Sequence, residues 1–143
     1  MELERIATNT YDFETIRKTG ITYVDKTGLM YPLVNTSMGN QFFLSRPRRF
    51  GKSLLLSTLQ KLFEGRRDLF QGLAIDSLPW DWSATYPVIR LDMSLCSGET
   101  VGEVEGRVVA TMRSEADRLG VVLRNDDDAA ICLQSFIEDV AAS

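Results

Sequence analysis

Apolar residues recur at helical spacing in three stretches of this chain. In residues 52–64 they are Leu55, Leu56, Leu59, Leu62 and Phe63, and Gly65 ends the run. Val101, Val104, Val108, Met112, Ala116 and Leu119 trace a longer amphipathic helix closed by Gly120. Leu133, Phe136, Ile137 and Val140 mark a last helix from about Asp126 to the end. A shorter helix is expected over residues 11–18, with Asp12 near its start and Gly20 as its stop. Asp25 is placed to cap another that carries Leu29, Met30, Leu33 and Val34.

Two other stretches read as strands. Residues 40–45 (NQFFLS) form a short apolar run bounded by turn residues and proline, and Pro87 introduces residues 88–93. Residues 21–24 are β-prone, and residues 66–86 read as a connector with a short helix near Asp68 to Gln71. The order strand, helix, strand, helix, helix predicts an α/β domain with a parallel sheet flanked by helices. No repeat or linker divides the chain, so residues 1–143 are expected to form one domain. Within it, residues 1–39 are a helical lead-in and residues 40–64 a strand, turn and helix. Residues 65–143 supply the connector, the second strand and two helices.

Composition narrows the chemistry. The chain has 143 residues, 44% of them apolar and 25% charged, as in an ordinary globular protein. Histidine is absent, which excludes imidazole acid/base chemistry and His-ligated zinc. Cys96 and Cys132 lack metal-site spacing and sit in apolar segments, as buried free thiols do. The start has no apolar signal region, and no stretch approaches the ~18 apolar residues of a membrane helix. A cytoplasmic setting without membrane contact is the expectation. Charge is uneven: residues 1–72 carry eleven Lys/Arg against seven Asp/Glu, and residues 73–143 five against thirteen. The basic half thus has reason to attract an anion.

The most informative residues are Arg46-Pro47-Arg48-Arg49-Phe50-Gly51-Lys52-Ser53, set between an expected strand and an expected helix. Gly51-Lys52-Ser53 matches the back half of the P-loop motif G-x-x-x-x-G-K-[ST]. A helix starting here points unpaired N–H groups and its positive dipole end at whatever precedes it. Gly51 lets the backbone approach a phosphate, Lys52 reaches the β- and γ-phosphates, and the Ser53 hydroxyl suits Mg²⁺. Arg46 stands where the motif has its first glycine.

This segment, FFLSRPRRFGKSLLLSTLQKLFEG, resembles the AAA-ATPase-like family, whose members often carry a PD-(D/E)XK nuclease-like domain further along the chain. The resemblance extends to YDFETIRKTGITYVDKT, RRDLFQGLAI and YPVIRLDMS and covers most of residues 10–95. Arginine at position 46 is normal in that family. The resemblance implies a P-loop NTPase-like fold in which Gly51, Lys52, Ser53 and Leu54 wrap the triphosphate of ATP. Arg48, Arg49 and Phe50 adjoin it. Residues 23–27, Asp25 among them, look like an upstream box that lies near the adenine in related ATPases.

Other candidates are weaker. Asp92 ends an apolar run 39 positions after Ser53 and has the placement of a Mg²⁺-holding acid, but no second carboxylate follows it. Asp126, Asp127 and Asp128 read as a helix cap with dipole-complementing charge. Trp80 and Trp82 read as a loop packing over the core, and Glu99, Glu103 and Glu105 as a solvated helix face. In the resembled family a later strand bears the acids that support hydrolysis, and the chain ends before one, so an incomplete sheet is expected. No PD…(D/E)xK constellation is identifiable either. The expectation is ATP–Mg²⁺ binding through residues 46–54 without efficient hydrolysis. The alternatives are a nucleotide-regulated module that binds a protein partner or itself, and nucleic-acid binding through the basic loop. The last is disfavoured because the charges suit one compact anion.

Overall fold

Five α-helices and three 3₁₀ turns make up the regular structure of residues 10–35, 41–124 and 127–143, the residues that the computed structural model describes. The chain divides into two compact units, Met1–Tyr86 and Pro87–Ser143.

In the first unit, helix α1 (Phe13–Lys18) begins where Asp12 accepts the Thr15 N–H at 2.8 Å. Helix α2 (Thr27–Val34) begins where Asp25 Oδ1 accepts both the N–H and the hydroxyl of Thr27. Helix α3 (Lys52–Phe63) follows Gly51 and ends before Gly65, whose φ of 70° suits the turn out of the helix. Phe13, Leu62, Leu69, Phe70, Leu73 and Ile75 form the core. The face that α3 buries carries Ser57 and Thr58 beside Leu62, whereas Leu56 is exposed. The hydroxyl of Ser57 explains the choice: it accepts the Phe13 N–H at 3.0 Å and donates to Asp12, so a polar contact welds α1 to α3. Trp80 and Trp82 pack against this core, as the connector reading predicts. Their partners are the rings of Phe63 and Phe70 respectively.

In the second unit, α4 (Val101–Leu119) has the Thr100 cap at its start and Gly120 in the left-handed conformation at its end. Helix α5 (Ala129–Ala142) starts at Asp128, whose carboxylate accepts the N–H groups of Ala130 and Ile131. Asp126, expected in the same cap, lies outside the described residues. Val109, Met112 and Ala116 of α4 are buried with Cys132, Phe136 and Val140 of α5. Both cysteines are buried and outside any disulfide.

The expected parallel sheet is absent: among the described residues there is no β-strand. Residues 41–46 are exposed and form no ladder among the described residues. Residue 40, the expected start of that strand, lies outside the described residues. In residues 88–93 the backbone is satisfied by a helix instead of a strand. Glu115 accepts the Arg90 N–H at 2.7 Å, and Arg118 donates to the Val88 carbonyl at 2.5 Å. Ile89 and Leu91 meanwhile pack on the second core. An apolar β-prone run predicts extended backbone, but a sheet also needs a second strand in register to take its N–H and C=O groups. Here α4 side chains take them in one segment, and no strand meets the other.

Candidate functional site

The first unit carries a cleft of about 930 Å³ beside the start of α3. Its floor is the turn that leads into the helix. Arg49 has φ 67° and Gly51 has φ 78°, with Phe50 between them on the ordinary side of the map. Such a reversal of hand turns successive N–H groups toward one concavity, the geometry that receives anions. Glycine meets this demand at position 51 without a Cβ penalty, whereas Arg49 adopts it at a cost of about 1 kcal/mol. Lys52 spans the turn, its ammonium donating to the Arg46 carbonyl at 2.5 Å. An ammonium has three donors, so this bond leaves Lys52 able to serve an anion.

Residues 46, 49 and 50–55 line the cleft together with Leu44, Thr10, Tyr11, Ile16 and Thr22, Tyr23, Val24 and Lys26. Four of these are cations (Lys26, Arg46, Arg49 and Lys52), and no described lining residue is acidic. The Ser53 side chain stands exposed in the first turn of α3. A serine hydroxyl fits one position on Mg²⁺ whose other ligands are phosphate oxygens and water.

The structure thus brings together Arg49, Phe50, Gly51, Lys52, Ser53 and Leu54. It joins to them two parts of the upstream YVDKT segment, Tyr23-Val24 and Lys26. Arg48 is exposed on the same turn but does not line the cleft. Asp25 faces away from it: Oδ1 serves Thr27, and Oδ2 accepts the Ala74 N–H at 2.7 Å. Burial works against its charge, yet these hydrogen bonds outweigh burial and keep its carboxyl below the ordinary range. Asp92 belongs to the second unit, where it caps the turn Met93–Leu95 by accepting the Ser94 N–H at 3.0 Å.

Sequence reasoning did not single out Thr10, Tyr11 or Thr22. Tyr23 is held by the core, edge-on to Phe13 with ring centroids 5.2 Å apart, and burial raises the pKa of its phenol. Tyr11 enters through the weld between α1 and α3, for which neither periodicity nor motif spacing carries a signal.

The chain is 39% identical over 108 residues to an uncharacterized protein in the vnfD 5' region of Azotobacter chroococcum mcd 1. That alignment covers 76% of this chain and 20% of the relative, so the chain spans about a fifth of that protein's length. No solved structure matches. Residues 7–143, which take in both the RPRRFGKS turn and the upstream YVDKT segment, match the family described as a predicted AAA-ATPase, and the chain belongs to that family.

Proposed function

We propose that this chain binds a nucleoside triphosphate, ATP in the first instance, with Mg²⁺, through residues 46–54. The observation that carries this reading is the charge of the cleft: four cations and no acid among its described lining residues, gathered at the start of a twelve-residue helix. Lys52 exchanges the Arg46 carbonyl for phosphate oxygens, the turn N–H groups donate to the remaining oxygens, and Arg46 and Arg49 flank the triphosphate. Ser53 and the phosphate oxygens hold Mg²⁺, which offsets the charge of the triphosphate.

Hydrolysis is a separate demand. In-line attack on the γ-phosphate requires an acid or amide that orients water, and the described lining residues offer none. The expected behaviour is binding with turnover at background level. Titration of labelled ATP in the presence of Mg²⁺ tests both parts. The Lys52→Ala variant should bind about tenfold more weakly or worse, the loss of a charged hydrogen-bond donor. Equal binding by the variant and the wild type would remove the site, and brisk phosphate release by the wild type would refute the absence of turnover.

A further inference from the structure

The cleft has a second region whose chemistry differs from that of the phosphate turn. Two exposed aromatic rings border it, Phe50 at 66% exposure and Tyr11 at 62%. Phe50 adjoins Gly51 in the turn itself and so belongs with the phosphates. Tyr11 arrives from another part of the chain. The next residue, Asp12, accepts the Ser57 hydroxyl at 3.1 Å, and Ser57 accepts the Phe13 N–H at 3.0 Å. Ser57 stands five residues beyond Lys52 on α3, about 7.5 Å along the helix axis at 1.5 Å per residue. The weld therefore anchors the Tyr11 segment to α3 about one and a half turns beyond Lys52, beside the cleft that both residues line. Tyr23 is not available for the same task, because its ring is spent against Phe13.

We propose that the ring of Tyr11 stacks on the base of the bound nucleotide, making it a base-recognition residue. This rests on the nucleotide reading above. Stacking supplies affinity for any aromatic base without choosing among bases, since every base has a π-face. Residues 22–24 border the same cleft and leave room for edge contacts to the base.

Calorimetric titration of the full chain with ATP and with inorganic tripolyphosphate, both with Mg²⁺, tests this. The wild type should bind ATP about tenfold more tightly than tripolyphosphate, the difference being the stacked base. Tyr11→Ala should bring ATP down to the affinity of tripolyphosphate and leave tripolyphosphate itself unchanged. Tyr11→Phe should keep the preference, because the ring and not the hydroxyl carries it, and Phe50→Ala should keep it too. A Tyr11→Ala variant that still prefers ATP, or loss of the preference in Phe50→Ala alone, overturns the assignment. In both cases nucleotide binding by the turn still stands. A wild type that binds neither ligand sinks the nucleotide reading, and this inference with it.

Discussion

Glu14 gathers three cations on the surface of the first unit: Lys18 at 2.6 Å, Lys61 at 3.0 Å and Arg66 at 3.2 Å. Lys18, then Lys61 and Arg66, pull its carboxyl down from 4.5 to about 2. A lowered folded-state pKa means that the charged form stabilises the fold. Its contribution is complete above about pH 4.5 and is lost as the pH falls through about 2. Glu14→Gln should therefore cost about 1 kcal/mol at pH 7, as expected for a solvent-screened network. Urea denaturation should find that difference shrinking between pH 4.5 and 2. A penalty independent of pH would assign the loss to packing. At this scale the sequence was informative where a residue's chemistry is local. Asp12 and Asp128 cap the helices beside them, and Gly51 and Gly120 take left-handed turns. It was silent where the partner is distant, as for the bond from Asp25 to Ala74.

Helices and strands fared differently at the next scale, for a physical reason. An α-helix satisfies its backbone within itself, so apolar spacing and caps place α3, α4 and α5 to within a few residues. Which residues a helix buries is less legible. On α3 the spacing points to Leu55, Leu56 and Leu59, yet Ser57 and Thr58 are the ones wholly inside beside Leu62. The neighbour decides, because α1 presents Asp12 and the Phe13 N–H to that face. Ser57→Ala leaves the buried Phe13 N–H without its acceptor, which should cost about 1–3 kcal/mol. Hydrogen exchange at the start of α1 should rise in the same variant, and unchanged protection there would show that the weld contributes nothing. The two expected strands failed because a strand is completed only by another segment.

Across the whole molecule, charge is partitioned between the two units. Residues 1–86 hold eleven Lys/Arg against nine Asp/Glu, and residues 87–143 hold five against eleven. The first unit packs Phe13 and Phe70 among Leu62, Leu69, Leu73 and Ile75, and the second packs Met112 and Val109 against Phe136 and Val140. Because the cleft cations reach solvent, their attraction for a triphosphate is open to screening. Raising the salt from 50 to 500 mM, values that span Debye lengths of roughly 14 to 4 Å, should weaken tripolyphosphate binding several-fold. Affinity that ignores salt would mean that the cations do not hold the anion. Among the described residues no helix is long and apolar enough to cross a membrane.

The sequence by itself determined the helices and their caps, because each depends on residues within a few positions of one another. The RPRRFGKS turn and the YVDKT segment were legible as motifs for the same reason. Only the tertiary structure decided that these two segments line one cleft, that Asp25 also accepts the Ala74 N–H, and that Tyr11 joins the cleft beside the Ser57 weld. It also decided against the sheet. The bonds of Ser57 to α1 and of Ala74 to Asp25 join residues 44 to 49 positions apart, and the sheet failed for lack of a pairing segment; local pattern carries neither.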